Sequence, residues 1–332
     1  MSMFNKKQKR NIIIVIHGLA NKPPKKLLEK WCKISIREGL KTIHRRFTPF
    51  SLELVYWADL LHEKPQDIQE QDKKSDTYLS DPYTPGNPEE YTNFKPSRIK
   101  EQILNNLEKK LDKIYFKENR FIDIDSIANI LVRNLFKDLD YYYHRNCPVT
   151  GYAGLPARDA IRLRLAETLD KYHDWDIMLI AHSMGTIISY DVLTQTMKDV
   201  SVNTLITIGS PLAMPTILKK ILSEQGKDIK KQQKSFTPEN IMNGWYNFSD
   251  LDDPVAINYN LADDYLPNSR GITPQDIIVH NNYRYKRSRS PHKLYGYLRA
   301  PEVARVIYDF CMAGKSAFII NLRQKFGDIF GR

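Results

Sequence analysis

The chain has 332 residues, a formal net charge of +11 at pH 7 and a pI near 9.3. This length can bury the core of one large α/β domain plus an insertion. Its 3 cysteines form no disulfide framework and no zinc-ligand spacing, and they fit a reducing compartment. No apolar run approaches the length of about 18 residues that a membrane span needs.

The first predicted element is a strand over residues 11–17. Five consecutive aliphatic residues bounded by polar ones are typical of a strand buried on both faces of a parallel sheet. His17 and Gly18 end this strand. Gly18 lets the chain turn so that a backbone amide, most simply that of Leu19, can face a developing oxyanion. An amphipathic helix over residues 27–40 and a strand over residues 52–57 are predicted next.

The pattern then changes from that of a sheet core to that of an insertion. Residues 62–97 are polar and rich in proline, which is typical of an exposed loop, and apolar residues at helical spacing over 99–143 predict two helices. These helices could cover the carboxyl ends of the strands as a lid, or they could simply pack on the core. We therefore divide the chain into a core, residues 1–60 and 150–332, and a polar loop plus helical insertion, residues 61–149.

The most informative stretch is the apolar run that stops at Ser183. A strand-like run precedes this serine and apolar residues at helical spacing follow it, so Ser183 lies at a sharp strand-to-helix turn. Such a turn lifts the serine Oγ above the sheet edge and directs the backbone N–H of Met184 at an oxyanion. The close approach of strand and helix requires small residues at Ala181 and Gly185, where alanine replaces the usual first glycine. A helix N-cap is the ordinary alternative role for such a serine.

Together, the His-Gly pair after the first strand and the serine turn resemble the α/β-hydrolase family. In that family the early His-Gly supplies half of the oxyanion hole, and the nucleophile, acid and base follow in that order. The resemblance covers residues 11–312 except for the segment from 61 to 150. It implies an α/β-hydrolase fold with a shortened, mostly parallel sheet of about six strands, flanked by helices and interrupted by the helical insertion.

The resemblance also indicates the acid. Residues 244–249 read as a late strand, and Asp253 follows it directly before a proline and a valine, as in the acid loop of the family. Asp252 and Asp250 are the alternatives. Turn formation is the ordinary alternative role for Asp252 and Asp253.

The base is expected on the loop after the last predicted strand, residues 276–280. His292 lies on that loop, before the final helices. A surface histidine beside basic residues is its ordinary alternative. His280, at the end of the strand, is a rival base that we interpret as structural, and His182 is expected to point away from the face of Ser183.

The resemblance thus implies a serine hydrolase that cleaves carboxylic esters through a Ser-His-Asp triad and an acyl-enzyme, in the manner of a lipase, phospholipase or esterase. It implies no metal and no organic cofactor. A thioesterase, an amidase or an acyltransferase uses the same machinery. The alternative from a different class is a non-catalytic binding protein that uses the basic surface of this fold.

The positive charge bears on the partners. The densest basic run, residues 284–293, has interleaved tyrosines; it could bind a phosphate near His292 or form a solvated loop. We expect a small-molecule or lipid ester substrate and an anionic membrane surface, no nucleic acid, and no obligate protein partner. The basic N-terminus lacks a cleavage region, which predicts a cytoplasmic protein, with export by a signal-less route as the open alternative.

Overall fold

The computed structural model describes residues 9–86, 91, 98, 139–228, 232–256, 259–313 and 315. Most of the two predicted insertion helices and the predicted last helix lie outside the described residues. Within the described part of the chain, no helix is both long enough and apolar enough to cross a membrane.

The core of the molecule is one parallel sheet, which confirms the predicted fold class of a parallel sheet flanked by helices. Its strand order is β2-β1-β3-β4-β5-β6. The strands are β1 (Asn11–Ile16), β2 (Leu52–Val55), β3 (Asp176–His182), β4 (Val202–Ile208), β5 (Ile241–Ser249) and β6 (Pro274–Ile278).

Helices cover both faces of this sheet. Side chains alternate along a strand, so Ile12, Ile14 and Ile16 face one apolar layer while Ile13 and Val15 face the other. The first layer contains α2, α3 and α4, and the second contains α1, α5 and α6. The helices are α1 (Lys25–Thr42), α2 (Ala157–Lys171), α3 (Met184–Asp191), α4 (Pro215–Glu224), α5 (Leu294–Leu298) and α6 (Pro301–Met312).

Shorter elements connect these layers. A π-helical turn, Val192–Thr196, extends α3, and single helical turns occur at Ala58–Leu60, Thr150–Tyr152 and Leu261–Asp264. Two-residue strands pair in parallel, Ser235–Phe236 with Tyr265–Leu266, and as a hairpin, Arg284–Tyr285 with Ser288–Arg289.

Three strands end earlier than the sequence pattern predicts. β1 ends at Ile16, one residue before its predicted end. β2 ends at Val55, because the indole and backbone N–H groups of Trp57 bond to His17 instead of continuing the ladder. β6 ends at Ile278, so His280 lies on the loop beyond it.

Candidate active site

Ser183 occupies a strained turn between β3 and α3. Its φ of 55° and ψ of −127° lie where residues with a side chain are seldom found. The turn needs a glycine on its helical side, because a Cβ at Gly185 would lie 2.9 Å from the carbonyl oxygens of Ile16 and His17. On the strand side Ala181 is fully buried, so the methyl group fits where a glycine was expected.

His292 lies directly against this serine. Its Nε2 is 2.9 Å from Ser183 Oγ, and its Nδ1 is 2.8 Å from Oδ2 and 2.9 Å from Oδ1 of Asp253. His292 is carried by the loop between the hairpin and α5, and Asp253 by the loop after β5. The structure therefore brings these three predicted residues together in one line of contacts.

The Asp253 carboxylate is buried and well supplied with donors. Besides His292, the hydroxyl of Tyr297 donates to Oδ2 at 2.6 Å and the backbone N–H of Val255 donates to Oδ1 at 2.9 Å. Burial, and then the neighbouring Asp253, raise the pKa of Tyr297 well above its usual value. The phenol therefore stays protonated and acts as the donor, which fixes the orientation of the carboxylate.

The two alternative acids lie in a separate cluster. Asp250 and Asp252 both pair with Arg289, the second at 2.5 Å, and Asp250 also accepts the backbone N–H of Asn281 at 2.6 Å. Burial raises the pKa of Asp250, and the Arg289 charge opposes that shift. His280, the rival base, lies 3.9 Å from this carboxylate rather than beside Ser183.

The His-Gly pair reaches the same point from β1. A Cβ at Gly18 would lie only 2.6 Å from the Cβ of Ser183, so the backbone passes directly beside the serine. His17 Nε2 accepts the Trp57 backbone N–H at 3.1 Å. The ring proton of the neutral imidazole is then on Nδ1, which donates to the Gly18 carbonyl at 2.8 Å.

This bond orients the next amide. In a trans peptide the N–H points opposite to the C=O, so the Leu19 N–H is directed away from the His17 ring. Met184 supplies a second N–H, since the first residue of a helix has no intrahelical acceptor. Burial lowers the pKa of His17 well below its usual value, which keeps the ring neutral.

Three further residues support the site: His182, Gly209 and Tyr297. His182 has its Nε2 2.8 Å from the His292 carbonyl oxygen, so it ties the base loop to the serine turn; burial lowers its pKa well below the usual value. Gly209, with a φ of +54°, passes beneath the acid and base, because a Cβ there would lie 2.8 Å from Asp253 Oδ2. The position of Gly209 directly after a strand is a pattern from which its role could have been predicted, whereas nothing in the sequence around Tyr297 indicates its role.

A cavity of about 420 Å³ opens at Ser183. Its apolar lining includes Leu19, Leu28, Val255 and Leu294. Part of the insertion also lines it, at Gln66, Ser80 and Asp81.

The basic residues of the predicted run 284–293 have two different environments in the structure. Lys293 pairs with Asp81 at 3.1 Å, and Arg289 is held by the acidic cluster described above. Arg284, Lys286 and Arg287 are exposed on the hairpin instead. Among the residues that the structure describes, no group of three or more His, Cys, Asp or Glu could hold a metal ion.

Residues 158–287 match the family described as a PGAP1-like alpha/beta domain, which lies in the α/β-hydrolase superfamily and is serine esterase-like. The chain has the α/β-hydrolase fold. The matched stretch is less than half of the 332 residues and includes Ser183 and Asp253, but neither His17 nor His292. It supports a lipase- or esterase-like hydrolase of the α/β type in general. No curated protein matches the chain.

Proposed function

We propose that this protein is a serine hydrolase that cleaves carboxylic esters through Ser183, His292 and Asp253. The observation that carries the proposal is the unbroken line from Asp253 through His292 Nε2 to Ser183 Oγ at 2.9 Å. A serine hydroxyl becomes a useful nucleophile only when a base within this distance can take its proton.

The reaction has two halves. Ser183 Oγ attacks the ester carbonyl carbon, its proton passes to His292 Nε2, and the Leu19 and Met184 amides stabilise the oxyanion. His292 then gives the proton to the leaving alcohol, which departs and leaves an acyl-serine. A water molecule, deprotonated by His292, attacks the acyl-serine and releases the carboxylic acid, and Ser183 recovers its proton. Asp253 orients the ring and stabilises its positive charge.

The lining of the cavity supports an ester with an apolar acyl group. A volume of about 420 Å³ falls within the usual range for small-molecule sites. Apolar side chains line it beside the proposed oxyanion amide, at Leu19, and beside Asp253, at Val255, and Leu28 adds to this lining. The role of residues 61–149 as a lid stays a prediction, and so does the division into core and insertion.

A fluorophosphonate probe tests the proposal, because it reacts only with an activated serine. Wild-type protein should be labelled, and Ser183→Ala should lose both labelling and ester hydrolysis while remaining folded. Ser210→Ala is the matched control, since Ser210 is also buried at a strand end but bonds to Thr186 Oγ1 at 3.0 Å. An unlabelled wild type would favour a non-catalytic binding protein, and labelling that survives in Ser183→Ala would refute the assignment of the nucleophile. A panel of esters of increasing acyl length would then define the preferred substrate.

A further inference from the structure

The outer face of α1 carries a continuous row of positive charge. Its five members are spaced by four, three, four and four residues, which places them within an arc of about 80°. This cationic stripe consists of Lys26, Lys30, Lys33, Arg37 and Lys41. The opposite face of the helix is buried, at Leu28, Cys32, Ser35 and Gly39. The stripe is about 22 Å long.

Most of this charge is not neutralised within the protein. Lys33 pairs with Glu29. The other four members of the stripe are exposed, and none has a carboxylate within 4.0 Å among the described residues. A helix with so many like charges on one face is destabilised by their repulsion, and an anionic partner relieves that repulsion.

The turn after α1 adds a further exposed basic residue and an aromatic ring. Arg46 is exposed, and its guanidinium lies 4.8 Å from the ring of Phe47. The Phe47 side chain is 44% exposed, one of the largest apolar exposures in the described chain. Basic residues beside an exposed phenylalanine form the kind of surface that binds the interface of an anionic bilayer.

We propose that the cationic stripe docks this protein on the surface of an anionic lipid bilayer. The limited accessibility of the stripe favours a bilayer over nucleic acid. α1 is embedded in its helical layer, in contact with α5, α6 and β2, so only its outer arc is accessible. A helix held in this way cannot enter a major groove, whereas an outer arc about 22 Å long can lie along a plane of headgroups.

The position of α1 connects this surface to the cavity. α1 begins at Lys25, immediately after the segment Leu19–Pro23 that lines the cavity beside Ser183. Docking through the stripe therefore brings one edge of the cavity mouth to the bilayer surface. This last step rests on the proposed function, since it gives a lipid ester a short path to Ser183; the docking itself does not.

Vesicle binding tests the proposal. Full-length protein carrying Ser183→Ala is mixed with vesicles of phosphatidylcholine alone, or of equimolar phosphatidylcholine and phosphatidylserine, and the bound fraction is measured by sedimentation. The stripe variant combines Lys26→Gln, Lys30→Gln and Lys41→Gln. The matched control removes the same number of charges from the exposed hairpin through Arg284→Gln, Lys286→Gln and Arg287→Gln.

Protein with the unaltered stripe should bind only the vesicles that contain phosphatidylserine, and added salt should release the protein. Each basic residue near an anionic surface strengthens binding about fivefold, so the stripe variant should bind on the order of 100-fold more weakly. The hairpin control should bind nearly as well as the unaltered stripe. Both triple variants should unfold at the same temperature as the unaltered protein, which shows that they fold. Made with Ser183 intact, they should also hydrolyse a soluble short-chain ester at the wild-type rate.

The proposal is overturned if the protein binds both kinds of vesicle equally or binds neither. It is also overturned if the hairpin control loses as much vesicle affinity as the stripe variant. Binding to duplex DNA is measured in parallel, and stripe-dependent binding that is tighter to DNA than to vesicles would overturn it as well. Because Ser183→Ala is used for binding, a failure of docking leaves the soluble-ester assay unaffected. A failure of hydrolysis likewise leaves the binding result valid.

Discussion

Replacement of His17 by phenylalanine isolates the part that this residue plays. The phenyl ring is larger than the imidazole but keeps a flat aromatic ring that can stack on Trp57, whose ring centroid lies 4.8 Å from that of His17. What His17→Phe removes is the pair of hydrogen bonds to the Trp57 N–H at 3.1 Å and to the Gly18 carbonyl at 2.8 Å. Both backbone groups would then be buried without a partner.

The cost has two parts. Each unsatisfied buried group costs about 1–3 kcal/mol, so at pH 8 the free energy of unfolding should fall by roughly 3 kcal/mol. The Leu19 N–H also loses its orientation. Complete loss of an oxyanion donor lowers kcat by about 10²–10³-fold, and a disordered donor should lower it by roughly tenfold or more.

Acid should narrow the difference in stability between the two proteins. Burial holds the pKa of His17 in the folded protein well below its ordinary value of 6.5. Below pH 6.5 the unfolded wild-type chain takes up a proton at this residue that the folded protein does not, so wild type loses stability as the pH falls. Between pH 8 and pH 5.5 this loss amounts to about 1.4 kcal/mol. The phenylalanine variant has no such loss, and all other titrating groups are common to both proteins.

Urea unfolding of wild type and His17→Phe gives the difference in their unfolding free energies at pH 8 and at pH 5.5. Ester hydrolysis at pH 8 gives kcat. A difference in stability that stays constant with pH would show that His17 is not a buried neutral group. A variant with wild-type kcat would refute the claim that His17 orients the oxyanion amide.

The remaining predictions test the glycine, the acid and its tyrosine. Gly18→Ala should lower kcat by about 10²-fold or more because its Cβ would meet Ser183 at 2.6 Å; Gly151→Ala, where a Cβ meets nothing within 4 Å, is the control and should leave kcat unchanged. Asp253→Asn should lower kcat roughly 10⁴-fold, and Asp252→Asn far less; the reverse order in a kinetic comparison would transfer the role of the acid to Asp252. Tyr297→Phe should reduce the unfolding free energy by about 2 kcal/mol, because Asp253 loses a donor and the Asp250 N–H loses its acceptor; unchanged thermal unfolding would contradict that accounting.

Local patterns predicted the fold class and, together with the family resemblance, singled out the candidate site residues. The aliphatic run in β1 predicted burial on both faces, and its side chains do alternate between the two apolar layers. Ser183, Asp253 and His292 were singled out by strand, turn and loop context in chain order. Each of these signals lies within a few residues of the side chain concerned.

What the sequence could not provide depends on contacts between distant segments. Asp250, Asp252 and Asp253 lie within four positions of one another, so spacing alone cannot separate them. In the structure Arg289 holds the first two, and Tyr297 with His292 holds the third. The pairing of His17 with Trp57 likewise bridges 40 residues, and only the adjacency of β1 and β2 brings the two rings together.

The strand order explains why these distant segments meet at Ser183. From β1 the chain passes outward through α1 to β2, and it then returns through α2 on the opposite face to β3 on the other side of β1. The chain leaves β1 for α1 in one helical layer and leaves β3 for α3 in the other. An open α/β sheet has its crevice where neighbouring strands are followed by helices on opposite faces. Gly18 follows β1 and Ser183 follows β3, so the Leu19 amide and the Ser183 hydroxyl, which have roles in the proposed reaction, lie at this crevice. The acid and base loops follow β5 and β6 at the same carboxyl edge, and Gly209, after β4, leaves room for them to reach the serine.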